Sequence, residues 1–204
     1  MLAAAPVQTA APPVLDEVDA ARANQFALLG LLLWRAPSAD LLATCARLRS
    51  DGSELGVAHL ALAEAAGSVS AEAISQEFFN LFIGVGRGEL LPYASFYLTG
   101  FLHERPLAAV RTDLEALGLA RTDRVMEPED HIALLFDVMA GLIRGEHHGP
   151  GVDERVLFER HLQPWAGRFF ADLETASAAR FYRAVGRLGR VFMAIEAEAL
   201  ALPA

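Results

Sequence analysis

Residues 127–143 read EPEDHIALLFDVMAGLI, three acids around a proline and then a histidine, followed by a long apolar run. The run has helical spacing. Ile132, Leu135, Phe136, Met139, Leu142 and Ile143 recur at three- and four-residue offsets, which predicts a helix from about Pro128 to Arg144 with these side chains on its inner face. Proline suits a first helical turn, where its missing N–H would be unpaired anyway, and Glu127, Glu129 and Asp130 suit the positive end of the helix dipole. His131 does not fit that account, since a cation is disfavoured there. An Asp130–His131 pair beside two further acids is compatible with a proton-transfer unit, half a metal site, or a recognition point for arginine.

Outward from this helix the periodicity stays helical. Upstream runs begin near Asp16, at the capping residues Ser38, Ser53 and Ser70, near Ser95 and at Pro106. In the fourth of these, Ile74, Phe78, Leu81 and Phe82 fall on one face. Downstream, Gly149-Pro150-Gly151 marks a turn, and further helices split near Pro164 and at Ser177, the last reaching about Leu200. No alternating β-branched run of useful length appears. The expected fold is an all-α, single-domain bundle of about eight to ten helices over 16–204, behind a disordered Ala/Pro-rich tail at 1–15. Gly84, Gly86, Gly88 and Pro92 predict a mobile loop near 84–92.

Composition excludes several functions. The 204 residues carry 26 acidic and 17 basic side chains, a net charge of −9, and one cysteine. Lone Cys45 leaves no disulfide framework or cysteine-built zinc site and fits a reducing compartment. A nucleic-acid binder would need a basic face. The longest apolar stretch, Phe26 to Trp34, is nine residues, against the roughly 20 of a membrane span. The first fifteen residues lack the basic start and continuous apolar core of a signal peptide. The whole negative balance lies in residues 51–150, which hold 15 acids against six arginines. That field suits a basic partner, or solubility alone.

Chemical motifs are sparse. The 84–88 glycines follow a helix and lack the spacing and lysine of a nucleotide loop. His147 and His148 lie at the far end of the 128–144 helix, and no His-Glu-x-x-His occurs, so no metal is expected. Cys45 sits on an apolar face and no serine stands on a strand-to-helix elbow. Pro92-Tyr93-Ala94-Ser95-Phe96-Tyr97-Leu98 packs three aromatic rings beside the glycine loop, either as core or as a platform for an apolar peptide.

LFIGVGRGELLPYASFYLTG (81–100), PLAAVRTDLEALGL (106–119) and EPEDHIALLFDVMAGLI (127–143), in that order, resemble the TorD/DmsD (NarJ-like) family of all-helical cytoplasmic chaperones for twin-arginine-exported molybdoenzymes. The resemblance covers about residues 20–200. It implies binding without catalysis and without a cofactor: such a protein holds the signal peptide and apoprotein of its client until the molybdenum cofactor is inserted, preventing premature export. The family's recognition surface falls here on Phe82, Pro92, Tyr93, Ser95, Tyr97, Glu127, Pro128, Asp130 and His131, with Glu129 at the motif's variable position. His131 is expected to orient Asp130. A formate dehydrogenase or an S- or N-oxide reductase is the implied client class. The implied protein is a cytoplasmic monomer or domain-swapped dimer, without nucleic acid or stable membrane insertion. The rival readings are a non-catalytic assembly subunit of an oxidoreductase, and a small helical enzyme using Asp130 and His131. Physically, guanidinium forks pair with carboxylates and an apolar segment folds into a greasy groove, so acids would supply specificity and burial most of the affinity.

Overall fold

Serine caps open three helices where the sequence predicts them. In a computed structural model that describes residues 2–4, 15–122 and 126–202, Ser38, Ser53 and Ser70 accept hydrogen bonds from the N–H groups of Leu41, Gly56 and Ala73. These start α2 (Ala39–Cys45), α3 (Glu54–Ser68) and α4 (Ala71–Phe78), after α1 (Glu17–Trp34). The chain continues through α5 (Ala94–Thr99), α6 (Arg105–Ala116), α7 (Ile132–Ile143), α8 (Glu154–Leu157), α9 (Ala166–Thr175) and α10 (Phe181–Ala201). The fold is all-α, with ten α-helices among the described residues. Two helices end in a wider π-turn, Phe79–Ile83 after α4 and Phe158–Leu162 after α8. None of the described helices is long and apolar enough to cross a membrane.

One feature departs from pure helix. Leu2–Ala4 (β1) pairs antiparallel with Leu119–Arg121 (β2), Ala3 opposite Ala120. Those three residues belong to the segment expected as disordered tail; residues 5–14 of it lie outside the described part. Nothing in Leu-Ala-Ala opposes extended pairing, and three residues are too few to show alternation.

Contacts group the chain into two compact units, each made of two chain segments: Met1–Trp34 with Tyr93–Trp165, and Arg35–Pro92 with Ala166–Ala204. In the first, α1 lies along α7, and Phe26 meets Phe136 edge-on with ring centroids 5.3 Å apart. The sequence assigned α7 one inner face. Instead Ala133, Leu134, Val138 and Ala140 are buried too, so nearly its whole circumference is core, as befits a helix apolar all round. Its start also differs. α7 begins at Ile132, and Pro128 closes a turn by accepting the His131 N–H at 3.1 Å. The reason is that His131 is extended, bridged antiparallel to Tyr93, and an extended residue cannot be the fourth of a helix.

In the second unit α10 packs on α9 and α3. Gly186 permits the close approach, since a Cβ there would lie 2.5 Å from the Glu174 backbone nitrogen. The arginines of this helix point outward: Arg183, Arg187 and Arg190 are exposed, and Arg190 pairs with Glu174 at 2.8 Å. The glycine loop folds back on the π-turn of α4. Leu90 donates to the Leu81 carbonyl at 2.8 Å, and a Cβ on Gly88 would fall 2.5 Å from the Phe82 carbonyl carbon. Glu89 anchors the loop's far end, its carboxylate accepting from the N–H groups of Ser177 and Ala178 at 2.6 and 3.0 Å.

Candidate functional site

Two motifs separated by about thirty residues in the chain meet in the first unit. The Tyr93–His131 bridge lays the start of α5 beside the residues leading into α7. Asp130 then caps α5 from outside: its Oδ2 accepts the Ser95 N–H at 2.8 Å and its carbonyl accepts the Ala94 N–H at 3.0 Å. His131 caps α7, its Nδ1 accepting the Ala133 N–H at 3.1 Å. Acceptance requires an unprotonated Nδ1. Burial pushes the His131 pKa down to about 3, so the ring is neutral at physiological pH. That removes the objection to histidine at a helix N-terminus.

The histidine ring stands edge-on to Tyr93 and Trp34, with centroid distances of 5.1 and 5.6 Å. Tyr93 donates its hydroxyl to Glu127, and burial beside that carboxylate holds the phenol well above its usual pKa. Glu129, at the motif's variable position, is buried and ion-paired: Arg111 Nη2 and Arg121 Nε lie 2.9 and 3.6 Å from its carboxylate. Two of the chain's own arginines therefore already share one acid of the motif. Burial pushes its pKa up, but the Arg111 hydrogen bond and the charges of Arg111 and Arg121 help outweigh this and hold it below the ordinary carboxylate range.

These partnerships sort the nine candidate residues. Asp130, His131, Ser95 and Tyr97 are buried, at 1%, 5%, 0% and 7% exposure; the first three form the brace between α5 and α7, and the Tyr97 ring packs on Trp165 with centroids 5.4 Å apart. His131 was expected to orient Asp130; instead each side chain serves a different backbone donor, because His131 precedes α7 while the Tyr93–His131 bridge lays the start of α5 beside Asp130. The pair therefore does not form an acid–base couple. Glu127, Pro128 and Tyr93 are partly exposed, and no arginine pairs with Glu127 among the described residues. Phe82 and buried Pro92 belong to the other unit, where Phe82 packs against Phe78 and Tyr182 with centroids 5.0 and 5.4 Å away.

Sequence reasoning missed the apolar surface after α5. Leu98, Phe101 and Leu102 are exposed, Phe101 by 70%. Beside them a cavity of about 590 Å³ opens between α5 and α6, lined by Ala94, Leu98, Pro106 and Ala109 and closed by Asp113, Arg160 and His161. Asp113 there is buried against His161 Nε2 at 2.7 Å and Arg160 at 3.3 Å. The hydrophobic pair Phe101-Leu102 directly after the helix-ending Gly100 was the available signal. Among the described residues no group of three or more His, Cys, Asp or Glu side chains is arranged to hold a metal ion.

Fold and site together define an all-helical protein whose acidic motif braces two helix starts next to an open apolar groove. Comparison with known proteins places it: the profile described as nitrate reductase delta subunit matches residues 49–171, and the chain belongs to that family. Its curated relatives include the TorD chaperone proteins of Aliivibrio fischeri, 29% identical over 138 residues (63% of this chain and 64% of that one), and of Shewanella loihica, 26% identical over 171 residues (79% and 77%). The chain thus spans somewhat under two thirds of the length of the first of these. A crystal structure of a protein described as a redox enzyme maturation protein, from Archaeoglobus fulgidus, superposes with a TM-score of 0.57 at 21% identity, over 85% of this chain and 93% of that one. At that identity the likeness speaks to the fold. By name, these relatives are chaperones and a maturation protein, the class that the sequence pointed to in place of an enzyme.

Proposed function

We propose that this chain is a cytoplasmic redox-enzyme maturation chaperone that binds the twin-arginine signal peptide and the apo-form of an exported molybdoenzyme. The observation that carries the reading is the exposed Leu98, Phe101 and Leu102 surface beside the α5–α6 cavity, at the end of a helix whose start is fixed by the acidic motif. An apolar stretch of about ten residues finds there a preformed surface to fold against. Glu127, partly exposed and engaged by a neutral phenol, is the motif carboxylate placed to take a guanidinium. Burying about 400 Å² of apolar peptide surface contributes on the order of 10 kcal/mol before ordering costs, which leaves a micromolar affinity suited to later release.

The test is a calorimetric titration with a synthetic peptide bearing an arginine pair ahead of ten apolar residues, and with its twin-lysine counterpart. Micromolar binding of the first and several-fold weaker binding of the second is expected. Absence of binding, or equal affinity for both, contradicts the reading.

A further inference from the structure

Among the described residues, the short ribbon is the one place where an extended segment lies along a strand edge. Leu2–Ala4 adds to β2 in antiparallel register, Leu2 opposite Arg121 and Ala4 opposite Leu119. β2 is tied to the acidic motif, because the Arg121 side chain reaches the Glu129 carboxylate at 3.6 Å and the Met126 carbonyl at 3.3 Å. Strand addition draws its affinity from main-chain hydrogen bonds, so any extended segment with small side chains can take the same seat. A three-residue strand is a weak ligand, held here by its covalent connection to the same chain.

We propose that the β2 edge is a binding site for the small-residue segment that closes an export signal peptide, and that Leu2-Ala3-Ala4 occupies it in cis as an exchangeable stand-in. The chemistry matches. A signal peptide ends in an Ala-x-Ala-like stretch beyond its apolar core, and the occupant seen on β2 is Leu-Ala-Ala. The inference rests on the signal-peptide reading above and assigns one part of that peptide to one edge. On this account the two ends of the ligand are read differently: the cationic end by side chains, the small-residue end by backbone. The cis strand competes with that end of the ligand, so it masks most of the affinity the small-residue segment would add.

The experiment uses the full chain in three forms: unaltered, lacking Leu2–Ala4, and carrying Ala3→Cys with Ala120→Cys. Directly opposed residues of an antiparallel pair lie about 4.5–5.5 Å apart at Cα, within disulfide reach. Each form is titrated with the twin-arginine peptide of ten apolar residues, made with and without an Ala-Leu-Ala tail. The tail is expected to add less than about twofold in affinity to the unaltered chain and roughly tenfold to the shortened one, a three-residue strand's worth of binding. The oxidised cysteine form gains nothing from the tail, and reduction restores the behaviour of the unaltered chain. A shortened chain that treats both peptides alike overturns the strand site while leaving the signal-peptide reading intact. A crosslink that forms only between two copies overturns the cis seat. If no form binds either peptide, the underlying reading fails and takes this one with it.

Discussion

Asp130 and Ser95 stand 35 positions apart in the chain, yet the carboxylate of one receives the backbone N–H of the other at 2.8 Å. This bond makes the Pro-Tyr-x-Ser and Glu-Pro-x-Asp-His segments a single structural object. A buried acceptor of this kind holds α5 in place, and with it the apolar side chains after it. Asp130→Ala leaves buried donors unpaired and is expected to cost about 1–3 kcal/mol in denaturant unfolding, with Asp130→Asn retaining much of the loss. The Ser95 hydroxyl, by contrast, is buried without a hydrogen-bond partner, so Ser95→Ala is expected to leave stability equal or higher.

The same geometry separates two acids in binding. Because Asp130 is 1% exposed, its substitution acts through the placement of α5, and Asp130→Asn should weaken twin-arginine and twin-lysine peptides by the same factor. Glu127→Gln should weaken the twin-arginine peptide several-fold more than the twin-lysine one. Titration of both variants with both peptides checks the assignment; a reversed pattern would return recognition to Asp130.

Acid should destabilise this brace in a defined window. The folded pKa of His131 is pushed down to about 3 by burial, below its ordinary value of 6.5. The unfolded chain therefore binds the proton first. The stability that neutral His131 provides is complete above about pH 6.5 and is lost as pH falls toward 3, with a slope of up to about 1.4 kcal/mol per pH unit from this residue. His59 is shifted in the same direction by burial, so the informative quantity is a difference. His131→Asn keeps a capping acceptor without a titrating ring. Its unfolding free energy between pH 7 and 4 should fall less steeply than that of the unaltered chain, and parallel curves would refute the role.

Much of this architecture was legible because it is local. Ser38, Ser53 and Ser70 cap the helices they precede, and the spacing of Ile132 to Ile143 marks α7. What escaped is non-local. Asp130 caps α5, and Glu77 caps α10 from more than a hundred residues away, and no window of sequence holds both partners. The start of α7 was misplaced for the same reason, since the Tyr93–His131 bridge that keeps His131 extended comes from a distant segment. The motif residues were found by resemblance. Their burial was not, because a polar run before an apolar helix normally faces water, and only the backbone donors of α5 draw Asp130 inward. The division into two units, each assembled from two separated segments, leaves no compositional boundary to read.

Glu77 carries the clearest stability prediction in the second unit. Its carboxylate accepts the N–H groups of Arg180, Phe181 and Tyr182 at 2.8, 3.1 and 2.7 Å, at a helix start that lacks a side-chain cap of its own. Charge-assisted bonds of this sort also complement the positive end of α10. Glu77→Ala should lower the unfolding free energy by about 2–4 kcal/mol, the loss of several coupled acceptors, and Glu77→Gln by roughly half of that. A thermal or urea melt distinguishes them; near-neutrality of the alanine variant would mean that water replaces the carboxylate without loss.

Phe101 offers the cleanest separation of binding from folding. It is 70% exposed, so Phe101→Ser removes little buried surface and should change stability by no more than about 0.5 kcal/mol. If the surface after α5 receives the apolar part of a signal peptide, an aromatic anchor at its centre contributes about 1–2 kcal/mol, a five- to thirtyfold loss in affinity for the twin-arginine peptide. The loss should be independent of salt, because burial of apolar surface is not screened, whereas the Glu127 contribution weakens as salt rises. Titrations of Phe101→Ser and Glu127→Gln at low and high ionic strength therefore read the two parts of the site separately. An unchanged affinity for Phe101→Ser would move the apolar contact away from this connection and leave the exposed ring without a role in binding.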